Sequence, residues 1–221
     1  MKHMAIIKLR RFIRHTLAPV ARRSAGLARD DRGAVAIEFG ILAIPFFALI
    51  FAILETAMVF FAQQILESAL QDSIRDIRTG QSQAGTPWTT TEFRTEICDH
   101  SFGFFNCTGP GADRLWIKVT PVNSFGVAPN QIQNPVNPSC TMASPDPATE
   151  CNWRAAETFD DGSGSSVIIA QAYYRWPTII NVPWFSFANQ AGNNRLLGAV
   201  RVFKNEPFGS GGTSTSSGSG S

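Results

Sequence analysis

The stretch that most constrains this chain is Phe39–Leu54, which is uncharged and almost wholly apolar, with the apolar run resuming from Thr56 to Ala62. Together the two runs approach the roughly 20 residues needed to cross a bilayer. The residues before them are strongly basic. Residues 1–33 carry nine Lys/Arg against two Asp, whereas the remainder carries ten Lys/Arg against fifteen Asp/Glu. That asymmetry places the N-terminus in the cytoplasm and the body across the membrane. A cleavable secretory signal fits poorly, because the apolar run exceeds the usual roughly 7–15 residues and Glu38 and Glu55 interrupt it. The pairs Arg10-Arg11 and Arg22-Arg23 lack any other twin-arginine export feature. Basic residues in the body are scattered and form no stripe, so nucleic acid is not an expected partner.

Periodicity divides the rest. A helical pattern runs from Ala34 to about Thr79 and stops at Gly80, a glycine suited to a helix C-cap. Residues 39–62 read as transmembrane and residues 63–80 as amphipathic, since Ile65, Leu66, Ala69, Leu70, Ile74 and Ile77 recur at helical spacing among polar residues. Pro45 removes one hydrogen bond within that helix, so a kink or local melting is expected there. Thr89-Thr90-Thr91-Glu92 has capping-box spacing and starts a short helix towards Cys98. Strands are expected at 115–120, 167–176 and 195–204, with a long Pro/Asn/Ser/Asp-rich loop over 121–161. Residues 81–208 then form an exported α+β domain, a small antiparallel sheet against the helix. Residues 209–221 are a Gly/Ser/Thr tail of low complexity.

All four cysteines, Cys98, Cys107, Cys140 and Cys151, fall in the exported body and read as two disulfides. Three pairings are possible, and the local pair Cys98–Cys107 with Cys140–Cys151 is favoured over the others. A zinc site is the rival, but no CxxC pair is present. Asp160 and Asp161 are weak calcium candidates, and the spacing of an EF-hand is missing. Trp153, Trp176 and Trp184 with Tyr173 and Tyr174 read as packing residues before a surface patch. His100 alone among the histidines lies in the body, so no nucleophile–base arrangement points to an enzyme, and no cofactor is implied.

The junction Arg32-Gly33-Ala34-Val35-Ala36-Ile37-Glu38-Phe39 carries the chemistry. A carboxylate at the bilayer centre costs about 2.5–3.5 kcal/mol, and less near a helix end. Glu38 and Glu55 are 17 residues apart, about 25 Å along a helix, so both could sit near opposite interfaces. The second reading places a cut after Gly33. The freed amine of Ala34 would then lie one turn from Glu38, or face the Glu38 of a neighbouring subunit, and such a pair can set register in an apolar assembly.

The run Gly33-Ala34-Val35-Ala36-Ile37-Glu38-Phe39 resembles the processing site of type IV-like prepilins, in particular that of the Flp and TadE group of tight-adherence (Tad) pilus systems. Phe60-Phe61-Ala62-Gln63-Gln64, Ile77-Arg78-Thr79-Gly80-Gln81 and Glu96-Ile97-Cys98-Asp99 are similar to TadE-like proteins as well. So are Arg195-Leu196-Leu197-Gly198-Ala199-Val200 and the run Phe203-Lys204-Asn205-Glu206-Pro207-Phe208, which is close to the family's terminal FRNEPF. The resemblance covers about residues 30–208. It implies a pseudopilin-like domain, a prepilin-peptidase cut between Gly33 and Ala34, and a processing or assembly role for Glu38 and Phe39. It also implies other pilins, the peptidase, the Tad inner-membrane platform and secretion machinery, and membrane lipid as partners. Its function would be that of a minor pilin or pseudopilin in the inner membrane, incorporated into a surface fibre. An uncleaved single-pass scaffold of the Tad machinery is the alternative, and a membrane-anchored periplasmic binding module the second. Glu55 has no obvious prepilin role, and the loop at 121–161 and the tail lie outside the matched motifs.

Overall fold

The computed structural model describes residues 31–107, 112–144, 146–182 and 185–208. Most of the basic leader, the Gly/Ser/Thr tail and Trp184 lie outside the described residues. The chain divides into two compact units, Met1–Ile53 and Leu54–Ser221.

Helix α1 is assigned as Asp31–Arg78 and so begins before Ala34. It is unbroken at Pro45, so the local melting expected there does not occur. Losing one hydrogen bond leaves the ladder on either side intact. In the first unit Val35, Ile37, Phe39, Ile41, Leu42, Ile44, Phe46, Phe47, Leu49, Phe51 and Ile53 are all exposed.

The second unit is built on the amphipathic half of α1. Val59, Ala62, Leu66, Ala69, Leu70, Ile74 and Ile77 are buried in one stripe against a four-stranded sheet ordered β2-β1-β3-β6. Its strands are β1 (Leu115–Val122), β2 (Thr158–Phe159), β3 (Val167–Pro177) and β6 (Asn194–Lys204). A separate two-stranded hairpin joins β4 (Asn181–Val182) to β5 (Phe185–Ser186). Strands β1 and β6 flank β3 in antiparallel register, from Leu115↔Tyr174 to Val122↔Val167 and from Val167↔Lys204 to Pro177↔Asn194. The sheet is mixed rather than antiparallel throughout, because β2 pairs with β1 in parallel. That short strand is carried by the 121–161 loop, which returns to the sheet edge by a long route, and a connection of that kind allows a parallel pair.

Alternation decides the faces. Leu115, Ile117 and Val119 on β1, Ile168, Ala170, Ala172 and Tyr174 on β3, and Leu197, Ala199 and Phe203 on β6 join the helix stripe. Helix α2 (Thr90–His100) adds Phe93 and Ile97 to the same core. Its Thr89–Glu92 capping box is formed, and Arg94 ties it to the Leu115 carbonyl at 2.7 Å and to Glu157. The opposite sheet face is covered by the 121–161 loop. Buried Gln171 fixes that cover, its Oε1 accepting from the Gln133 N–H at 3.0 Å and its Nε2 donating to the Gln131 carbonyl. A small second core of Val136, Cys140, Cys151 and Ala191 lies there with Trp153, over whose ring Arg175 stacks at 4.0 Å.

Trp153, Trp176, Tyr173 and Tyr174 are packing residues in this unit. Trp176 stacks on Phe104 with ring centroids 5.2 Å apart, and Tyr174 meets Phe105 at 4.5 Å. Disulfides join Cys98 to Cys107 and Cys140 to Cys151. The first fastens the exit of α2, and the second closes a turn around the short helix α3 (Pro147–Glu150).

Length matching fixes how helix and sheet correspond. Glu55 to Arg78 covers about 35 Å of helix, and the eleven residues of β3 cover about 35 Å of strand. The domain therefore has a pole near Glu55, Trp176 and Arg195 and another near Arg78, Val167 and Lys204.

Two outcomes follow. Removing either disulfide by a double Cys→Ser change is expected to lower stability by about 2–4 kcal/mol, measured as urea unfolding of the full chain in detergent. Glu67 accepts from Gln63 at 2.9 Å and pairs with Arg201 at 3.1 Å, and these bonds hold its carboxyl below the ordinary value of 4.5, the Gln63 bond contributing most. A carboxyl lowered on folding adds stability above its unfolded pKa, and this is lost as pH falls through the folded value. The advantage of wild type over Glu67→Gln should therefore be present at neutral pH and disappear on acidification below about 4.5, as read from unfolding midpoints across pH.

Candidate functional site

The helix Asp31–Arg78 is the only element among the described residues that is long and apolar enough to cross a membrane. Gly33 and Ala34 occupy its first turn, the part of any helix that frays most readily. Glu38 and Phe39 follow, both exposed. A helix whose large apolar side chains are exposed on every side needs lipid or other helices around it.

Glu55 behaves differently, and sequence reasoning did not anticipate it. It is 6 % exposed. Its Oε1 accepts the Ile179 N–H at 2.6 Å and its Oε2 the Ile180 N–H at 2.9 Å. The carboxylate thereby caps two consecutive backbone donors in the turn between β3 and β4. Charge-assisted bonds of this type are among the stronger hydrogen bonds. The Thr178 N–H and Oγ1 complete the turn by donating to the Asn193 carbonyl at 2.7 and 2.8 Å. A signal for this was present: Glu55, Val59, Ala62, Leu66, Ala69 and Ser73 are spaced by four and three residues, so Glu55 continues the buried stripe.

At the opposite pole the terminal motif forms a latch. The Glu206 N–H donates to the Arg78 carbonyl at 2.9 Å, one of the orphan acceptors at the end of α1, and the Arg78 and Glu206 side chains lie 3.8 Å apart. Buried Asn205 donates through Nδ2 to the carbonyls of Asp161 at 2.8 Å and Ser163 at 3.0 Å. Its own N–H reaches the Ser166 carbonyl at 2.8 Å. Phe208 then lies on Gly80, which adopts φ 80, and a Cβ there would stand 2.8 Å from the ring. Gly164 is required for closeness alone, since a Cβ would approach the Phe208 carbonyl oxygen to 2.3 Å.

The remaining motif residues also meet at the helix–sheet junction. Gln63 Nε2 donates to the Gly198 carbonyl at 2.8 Å, and Gly198 leaves room for the Tyr173 ring. Asp161 accepts from Ser82 Oγ at 2.6 Å, and Asp160 from the Gly162 N–H at 3.0 Å. Both carboxylates are thus used in the turn that the latch closes, and the described residues contain no group of three or more His, Cys, Asp or Glu able to hold a metal. His100 lies 2.9 Å from Glu96, a pair within α2 rather than part of a catalytic constellation.

Residues 33–75 match the family model for TadE-like proteins. No curated protein and no solved structure matches the chain. The matched stretch begins at Gly33, contains Glu38, Glu55 and Gln63, and ends three residues before Arg78.

Gly164→Ala should expel Phe208 and destabilise the domain by about 1–3 kcal/mol, the range for overpacking a well-filled site. Asn205→Ala should cost about 1–3 kcal/mol by removing the two bonds from its Nδ2 to the Asp161 and Ser163 carbonyls, at about 0.5–1.5 kcal/mol each. Urea unfolding of the full chain, with limited proteolysis near residue 205, reads both effects. Neither change should affect membrane insertion.

Proposed function

We propose that this Tad pilus-associated, TadE-like chain acts as a minor pilin or pseudopilin. It inserts with its N-terminus in the cytoplasm and its α+β domain in the periplasm, is cut between Gly33 and Ala34, and joins or primes a fibre through α1. The observation that carries this reading is the combination at Gly33–Phe39. A glycine precedes an apolar run there whose one carboxylate is Glu38, and the large apolar side chains from Val35 to Ile53 are exposed but for half-buried Ile50. Such a surface, on a helix whose second half is fully used by its own domain, suits side-by-side packing with like helices.

In an assembled fibre Glu38 would face the Ala34 amine of a neighbouring subunit, each charge removing the other's burial penalty. The prepilin peptidase, neighbouring pilins and the inner-membrane platform are the partners on this reading, and the role is structural. A second reading, an uncleaved inner-membrane scaffold, draws support from the helical state of the Gly33–Ala34 bond, which a protease would have to open. Opening one terminal turn is a small cost, so processing remains the better account.

N-terminal sequencing of the protein from membranes and from sheared surface material decides between them. Ala34 as the first residue is expected in both fractions, whereas Met1 in both would establish the scaffold. Glu38→Ala should insert normally and yield few or no fibres by electron microscopy. Wild-type fibre output from that variant would return Glu38 to a simple interface charge.

A further inference from the structure

The pole of the domain around Glu55 carries two protruding apolar residues that its own core does not use. Ile179 is 90 % exposed and Phe102 is 92 % exposed. Phe102 also holds φ 52, a conformation that a bulky side chain rarely adopts without a reason. Both belong to the same end of the sheet. Ile179 follows the end of β3 and its N–H is held by Glu55. Phe102 precedes Phe104, which packs against Phe61 at 5.3 Å and Trp176 at 5.2 Å. Met58, Phe60 and Phe61, three to six residues after Glu55 on α1, are exposed too. Exposed apolar side chains thus occur at this end of the domain on three segments, and those on α1 continue the membrane-spanning run in sequence.

Depth explains the occupant. Glu55 lies 17 residues beyond Glu38, about 25 Å, against a hydrocarbon core of about 30 Å. With Glu38 at the cytoplasmic interface, Glu55 falls short of the far one. A carboxylate at that depth has to face protein and be fully bonded, and it is: both oxygens accept backbone N–H groups and the residue is buried. The same two bonds satisfy the donors of the covering turn. The turn therefore offers lipid an apolar side chain where a bare turn would offer open N–H groups.

We propose that this pole is seated in the outer interfacial layer of the bilayer, with Ile179 and Phe102 inserted among lipid and the Glu55-capped turn as the part that makes insertion possible. The proposal rests on the membrane-anchored reading of α1. Its occupant is a lipid surface, and a second copy of the chain is the competing one.

The test places a nitroxide at introduced cysteines in the full chain, reconstituted in phosphatidylethanolamine/phosphatidylglycerol vesicles. The four native cysteines are all paired, so each variant has one free thiol. Ile179→Cys probes the pole, Phe47→Cys the anchor, and Phe125→Cys, in the loop after β1, the opposite pole. The Glu55 bonds come from backbone N–H groups, so Ile179→Cys leaves them in place. The expected result is a several-fold higher ratio of oxygen to nickel-chelate collisions at 179 and 47 than at 125. A water-like ratio at 179 with a lipid-like ratio at 47 would overturn the proposal and leave the anchor standing. A water-like ratio at 47 would remove the anchor reading and the proposal with it. Spin–spin broadening at 179, with low access to both reagents, would identify a second copy as the occupant and overturn the lipid assignment.

Discussion

Everything in the second unit depends on one burial event, the docking of the α1 stripe from Val59 to Ile77 on the sheet. A three-strand core of β1, β3 and β6 offers one apolar face, and that face has to be buried against another element, here a helix. The stripe supplies that helix over the full length of β3. Arg94, Gln171 and the two disulfides position loops around this layer, and they act only once it exists. Membrane anchor and domain core are thus parts of a single helix, whose demands change from one half to the other.

Two polar devices sit at the ends of that stripe and solve opposite problems. At Glu55 an acceptor on the helix satisfies donors of a turn. At Arg78 an acceptor left by the end of the helix is satisfied by a donor of the terminal segment. Between them only Ser73 interrupts the apolar line, and its hydroxyl donates to the Ala69 carbonyl at 2.8 Å. Glu55, Ser73 and the Arg78 carbonyl are therefore all bonded, and the helix cannot slide along the sheet without breaking both ends.

Much of this was legible in the sequence because the signals were local. The 3.6-residue period of residues 63–77, the alternation of 115–120 and 167–176, the capping box at Thr89 and the glycine at position 80 each report on near neighbours. Of the motifs similar to TadE-like proteins, Gly33–Phe39 and Phe60–Gln64 fall inside the stretch that matches that family's model, and the others lie outside it. What stayed hidden was long-range. The Glu55–Ile179 bond and the Asn205–Asp161 bond join residues far apart in sequence, and no local pattern encodes such a partner. The parallel pairing of β2 was hidden for the same reason: two residues, Thr158 and Phe159, are too few to show a period. The terminal motif was visible as a motif, yet its physical task appeared only when Phe208 was seen against Gly80 and Gly164.

The latch also has a consequence in time. Arg78 and Glu206 stand at opposite ends of the domain sequence, and translation at about 5–20 residues per second separates them by about 6–25 s. During that interval α1 is complete, but its acceptor at Arg78 and its apolar stripe have no finished sheet to receive them, because β6 and Asn205 are still to come. The nascent chain thus holds an uncovered amphipathic helix beside a membrane until its last strand is delivered. Every residue inserted into the 121–161 loop would lengthen that interval.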